Sequence, residues 1–166
     1  LKMSKALERV KNKIFNKKNL LKKLEIWRGA NKKIVFTNGC FDLIHLGHIE
    51  VLARSADLGD ILIIGVNTDL SIKELKGNNR PIIEQNSRAQ QLASLEFVDA
   101  VILFNEQTPL ELIKVIKPNI ITKGGDYTSE QVIGNEIAVK NEGEVIIIPL
   151  TQGYSTTFIL DKIKNE

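Results

Sequence analysis

Gly39-Cys40-Phe41-Asp42-Leu43-Ile44-His45-Leu46-Gly47-His48 joins two stretches of different periodicity, and its reading decides the fold. Before it, Lys33-Ile34-Val35-Phe36-Thr37 is an apolar, β-branched run that predicts a buried strand. After it, Ile49 to Leu58 carries apolar residues at helical spacing, at Ile49, Leu52, Ala53 and Ala56. Two imidazoles therefore stand three residues apart where a strand becomes a helix, and at that spacing both leave the same side of a helical turn. They also stand at the positive end of the helix, where free N–H groups attract phosphate. Gly47 between them removes a side chain and lets a ligand approach the backbone. The arrangement points to a site for a nucleoside triphosphate.

Other uses of the pair are narrower. Two histidines at this spacing can ligate a metal, but Cys40 and Asp42 do not complete a familiar ligand pattern, and no metal ligand is assigned. A purely structural role fits poorly with the only two histidines of the chain sharing one turn.

The pattern Gly39-x-Phe41-Asp42-x-x-His45-x-Gly47-His48 is similar to the signature of the nucleotidyltransferase superfamily that includes the cytidylyltransferases. The HxGH element is also related to that of class I aminoacyl-tRNA synthetases. The likeness continues in order through Val66-Asn67-Thr68-Asp69, Leu75-Lys76-Gly77, Arg80-Pro81-Ile82, Lys123-Gly124-Gly125-Asp126-Tyr127 and Gly153-Tyr154-Ser155-Thr156-Thr157. The full set resembles the D-glycero-β-D-manno-heptose 1-phosphate adenylyltransferases, the ADP-heptose synthases of lipopolysaccharide core assembly. Lys2-Met3-Ser4-Lys5 mimics the lysine signature of the synthetases but precedes HxGH instead of following it, and is assigned no chemistry.

Composition agrees with an enzyme of this kind. The chain has 166 residues, 43% of them hydrophobic and 26% charged, which suits one α/β domain and is too little for two. One cysteine cannot form an internal disulfide, nothing resembles a secretory signal, and apolar runs such as Ile61 to Val66 are strand-length. A cytoplasmic location is expected. The net charge of +3 hides an asymmetry: twelve basic and two acidic residues up to Lys33, then eleven basic and eighteen acidic. Residues 1–32 read as a basic helical extension and 33–166 as the nucleotidyltransferase domain. A basic arm can signal nucleic acid. Here Leu7, Val10 and Ile14 form one apolar stripe and Leu20, Leu21, Leu24 and Trp27 another, so helices docking on the acidic body or on a second subunit are expected instead.

Along the body, strands are predicted at Asp60 to Val66, Asp99 to Phe104, Asn119 to Thr122 and Glu144 to Ile148. Helices are predicted at Ser87 to Leu95 with Asn86 or Ser87 as cap, from Thr108-Pro109 to Lys117-Pro118, at Ser129 to Asn141 and at Ser155 to Ile163. Ser71 to Gln85, broken by Gly77 and Pro81, reads as a long loop or lid. With the first strand this gives a Rossmann-like, open, parallel five-stranded sheet with helices on both faces, and ligands at the carboxyl ends of its strands.

The resemblance implies roles for the remaining residues. His45, His48 and the loop lysine Lys76 are the expected catalytic set, with Lys73 the neighbouring alternative. Gly39, Cys40, Phe41, Gly47, Lys73, Arg88 and the Ser155-Thr156-Thr157 run are expected at the nucleotide, although a plain Ser/Thr helix cap is the simpler reading of the last. Arg80, Lys123 and Asp126 are expected at the acceptor. Asp42 is expected to brace the loop by accepting backbone N–H bonds. The implied reaction transfers AMP from ATP, accompanied by Mg2+, to heptose 1-phosphate; ATP and a sugar 1-phosphate are the expected partners, with a homodimer as the assembly and neither membrane nor nucleic acid. Bifunctional relatives carry a sugar kinase domain ahead of this one, and thirty-odd residues cannot encode one, so a free-standing transferase is expected. Two rivals stay open: a cytidylyltransferase for a polyol phosphate, weakened by Leu150 where glycerol-phosphate enzymes carry arginine, and a nucleotide-sensing protein with a nucleic-acid-binding arm.

Overall fold

The computed structural model describes residues 4–125, 127–151 and 153–164. Helix α1 (Lys5–Lys11) leads into the short strand β1 (Ile14–Phe15) and helix α2 (Lys17–Gly29). Then follow β2 (Ile34–Gly39), α3 (Leu46–Ala56), β3 (Ile61–Asn67), α4 (Asp69–Lys76), α5 (Gln85–Ala93), β4 (Ala100–Phe104), α6 (Leu110–Ile116), β5 (Ile120–Gly124), a 3-10 turn at Ser129–Gln131, α7 (Asn135–Lys140), β6 (Glu144–Ile148) and α8 (Thr156–Lys164). All strand pairs are parallel, in the order β1-β4-β3-β2-β5-β6.

The strand residues divide between two cores by alternation. Ile34, Phe36, Ile61 and Ile63 face a layer with Leu20, Leu24, Trp27, Leu112, Ile113 and Ile116. Val35, Leu62 and Ile64 face the opposite layer with Leu52, Ala89, Leu92 and Ala93. Because β2 and β3 are covered on both sides, they read as continuous apolar runs. From β2 the chain builds outward to β3 and β4, then returns to β5 on the other flank, so β2 and β5 bound the topological switch point, and the Gly39–His48 segment leaves β2 there.

Several expectations are corrected. The sheet has six strands among the described residues, not five, because Ile14 and Phe15 pair with Val101 and Ile102 at its edge. The extension thus packs into the body: Leu20, Leu24 and Trp27 are buried in the core, and Phe15 meets Trp27 edge-on at 6.4 Å. Ser71 to Lys76 is helical rather than loop: Thr68 caps α4 by accepting from the Ser71 N–H, Ile72 anchors it in the core, and Gly77 ends it at φ 90°. Helix α5 starts at Gln85 rather than Ser87, its cap being Glu84, whose carboxylate accepts from the backbone N–H groups of Asn86 (2.9 Å) and Ser87 (2.7 Å). The helix expected over Ser129 to Asn141 is split into the 3-10 turn and α7 by Gly134 at φ 96°.

Candidate active site

His45 is the N-cap of α3, with extended backbone, and no side chain caps that helix, so its first N–H groups remain open. Three residues on, the His48 ring stacks on the His45 ring with centroids 3.9 Å apart and planes inclined by 25°. Phe41, in the left-handed region at φ 48°, tilts its ring against His48 at 5.3 Å and backs the pair from the turn side. Burial pushes the His48 imidazole down to about 4; neighbouring His45 and Lys76 add to the shift, and the nearby Leu43 backbone opposes it. His45 is also lowered by burial. Both rings are therefore neutral at pH 7, each offering one N–H and one lone pair. Nδ1 of each is buried without a hydrogen-bond partner.

A second helix start meets the first. A Cβ on Gly47 would stand 3.2 Å from the His45 ring and 3.4 Å from Cβ of Tyr154, so the glycine is what lets these segments approach so closely. Tyr154 belongs to the turn that opens α8, in which Ser155 Oγ accepts from the Phe158 N–H at 3.0 Å. Thr151 is tied to Glu50 on α3 by a side-chain hydrogen bond, fixing the same turn from its other end. The start of α3, which no side chain caps, thus lies against the turn that opens α8, whose own first turn is capped by Ser155.

Beside them, at the carboxyl ends of the strands, lies a cleft of about 460 Å3 lined by Asn38, Gly39, Cys40, Asn67, Lys76 and Lys123, with Gln107, Tyr127 and Gln131 at its outer wall. The histidines do not line it, although Lys76, which does, acts on His48 electrostatically. Lys123 is largely buried, its Nζ donates to the Asn38 carbonyl at 3.5 Å, and burial lowers its pKa. Lys76 lines the cleft, whereas Lys73, also on α4, is exposed and does not. Asp126 lies outside the described residues.

Two arginines depart from expectation. Arg88 is wholly buried and its guanidinium is engaged by protein groups, not open to a nucleotide. Arg80 places Nε 2.6 Å from Oδ2 of the buried Asp42, as an ion pair whose N–H is not aligned for a hydrogen bond, and it lies outside the cleft lining. Asp42 accepts backbone N–H bonds as expected, but from another segment: its Oδ1 receives those of Ile82 (2.7 Å) and Ile83 (3.0 Å), between α4 and α5. Among the described residues no group of three His, Cys, Asp or Glu side chains is placed to hold a metal ion. Asn38, Gln107 and Gln131 went unrecognised in the sequence and Asn67, quoted within its motif, was given no role; the polar ends of the apolar strands β2 and β3 were the available signal for the two asparagines.

Two histidines kept neutral by burial, at an uncapped helix start beside the switch point of a parallel sheet, form an arrangement suited to a phosphate-bearing ligand. The chain belongs to the cytidylyltransferase-like family, whose model matches residues 36–162. It is 43% identical over 153 residues to the bifunctional protein HldE of Bradyrhizobium sp. (strain ORS 278), covering 92% of this chain and 31% of that protein. It is 52% identical over 135 residues to the bifunctional protein HldE of Campylobacter fetus subsp. fetus (strain 82-40), covering 81% of this chain and 29% of that one. The chain thus spans less than a third of the length of these relatives. Among solved structures, the lipopolysaccharide core biosynthesis protein of Thermoplasma volcanium GSS1 matches with a TM-score of 0.58 and 33% identity, over 75% of this chain and 99% of that one. No helix among the described residues is long and apolar enough to cross a membrane.

Proposed function

We propose that the chain is a heptose 1-phosphate adenylyltransferase, transferring AMP from ATP to D-glycero-β-D-manno-heptose 1-phosphate with release of pyrophosphate, in lipopolysaccharide core synthesis. The observation that carries the reading is two histidines held neutral by burial at the start of α3, where no side chain caps the helix, close to the turn that opens α8 and beside a cleft into which the largely buried Lys123 reaches. The particular sugar is the one that the resemblance of the sequence motifs to the heptose 1-phosphate adenylyltransferases implies.

In this reading a phosphate oxygen of the acceptor attacks the α-phosphorus of ATP in line. The new P–O bond forms as the bond to the β-phosphate oxygen breaks, and pyrophosphate leaves with that electron pair. The acceptor phosphate is already ionised, so no general base and no covalent enzyme intermediate are required. His45 and His48 donate N–H bonds to the α- and β-phosphates as charge gathers there, and the starts of α3 and α8 add fixed dipoles. Lys76 neutralises the departing pyrophosphate, while Lys123 holds the acceptor phosphate in the cleft. A magnesium ion brought by the triphosphate would offset part of its charge; Asp42 would not be free to hold it, being committed to Arg80 and to the Ile82 and Ile83 N–H groups. A cytoplasmic homodimer is part of the proposal; mass in solution reads the assembly.

The test is pyrophosphate release from ATP and from CTP, each with heptose 1-phosphate, with glycerol 3-phosphate or with no acceptor. ATP with the heptose should dominate. Comparable turnover of CTP with glycerol 3-phosphate would replace this reading by the polyol-phosphate one.

A further inference from the structure

Arg88 and Asp42 are the charged side chains that are wholly or almost wholly withdrawn from solvent among the described residues. Burying a guanidinium is costly unless its donors are satisfied. Arg88 achieves this with three segments at once. Its Nε donates to the Ile83 carbonyl at 2.9 Å, Nη1 donates to the Cys40 carbonyl at 2.5 Å, and Nη2 donates to Asp69 Oδ1 at 2.7 Å.

Each partner belongs to a different part of the site. Cys40 lies in the turn that delivers the histidines. Asp69 is the first residue of α4, whose last residue is Lys76. Ile83 lies in the segment connecting α4 to α5, and its N–H is held by Asp42. Ile83 is thus gripped on both sides, its carbonyl by α5 and its N–H by the histidine turn. Gln85 adds a bond from its side-chain oxygen to the Asp69 N–H at 2.9 Å.

We propose that Arg88 is a positioning residue for nucleotidyl transfer: it sets the lysine helix α4 in register with the His45–His48 turn, so that Lys76 meets the charge the histidines also stabilise. Arginine is required because its planar fork points donors in three directions, and lysine cannot reach all three acceptors. The inference rests on the transfer reaction proposed above.

The experiment is a double-mutant cycle with Arg88→Lys and Lys76→Ala, assayed for pyrophosphate release with ATP and heptose 1-phosphate. Arg88→Lys, folded by circular dichroism, should lose about 10- to 10²-fold in kcat while the KM for ATP stays within a factor of about two. In the Lys76→Ala background the same change should cost little, because the residue it positions is gone. An equal loss in both backgrounds, an effect confined to the KM for ATP, or unchanged kcat would each overturn the proposal. If Arg88→Lys does not fold, Asp69→Asn, at the partly exposed end of the ion pair, takes its place in the cycle with the same outcomes. Hydrogen exchange over residues 73–84 is read in parallel: faster exchange in the variant is expected, and unchanged exchange overturns the inference. That arm decides the positioning even if the wild-type chain proves inactive on the heptose, which would defeat only the functional reading.

Discussion

The His45 and His48 rings lie face to face, 3.9 Å between centroids, with Phe41 closing the stack behind His48. Two imidazolium rings could not share this arrangement without strong repulsion, so the stack is built for the neutral forms. It presents two preorganised donors at an uncapped helix start without prior charge, and the charge arrives with the reacting phosphate.

His48→Ala should reduce kcat by roughly 10²–10³, the usual scale for losing one preorganised donor, and His45→Ala should act similarly. Neither should unfold the domain, whose cores lie elsewhere. His48→Asn, which keeps a donor, should recover part of the loss. Near wild-type kcat at saturating ATP in both folded alanine variants would contradict the assigned roles.

The His48 imidazole should titrate near 4 in the free protein, as NMR of the ring protons can follow. An unfolded chain binds this proton with a pKa near 6.5, so between about 6.5 and about 4 the unfolded state holds more protons than the folded one. The stability linked to His48 is full above that window and is lost as pH falls through it. Denaturation of wild type and His48→Asn at pH 7 and pH 5 isolates the contribution, because shifts such as the raised Asp99 carboxyl are common to both. Wild type should lose more on acidification. Triphosphate binding should raise the His48 pKa, seen as proton uptake by calorimetry in two buffers.

Lys123→Met should raise the KM for the acceptor by about 10-fold or more, the scale of one charge-assisted hydrogen bond, and leave the KM for ATP nearly unchanged. Since burial lowers the lysine pKa, acceptor binding in wild type should weaken at alkaline pH sooner than an ordinary lysine would allow. The variant should lack that alkaline limb.

Leu24→Ala should destabilise the fold by about 2–5 kcal/mol in urea unfolding, because Leu24 is fully buried between α2 and the sheet. Its kcat at low temperature should match wild type. A variant as stable as the parent would mean that the arm is held only loosely.

How far the sequence could be read follows from the range of the forces involved. The strands β2 to β6 and the histidine turn were visible because local apolar runs and breakers specify them. Ile14 and Phe15 were not, since two residues carry no periodicity and fitted a helical stripe equally well; only pairing with Val101 and Ile102 makes them a strand. Helix α4 was hidden because its lysines and the following glycine look like a loop, while its anchors, Thr68 and Ile72, are single residues. Arg88 was misplaced for a related reason. An arginine in a basic stretch belongs outside unless distant acceptors await it, and here they come from Cys40, Asp69 and Ile83. Asp42 was legible only in kind: it does accept backbone N–H bonds, but they come from Ile82 and Ile83, forty residues on, and not from its own turn.

The edge strand β1 also sets a timetable for synthesis. It precedes every other strand in the chain, yet its partner β4 ends at Phe104, and the Leu20-Leu24-Trp27 face of α2 shares its core with α6. As the chain leaves the ribosome, the N-terminal apolar surface waits through about ninety residues of translation before its cover exists, carrying its positive charges throughout. Strand β1 is thus admitted to the sheet only after β2, β3 and β4 have emerged, a long-range closure that comes late.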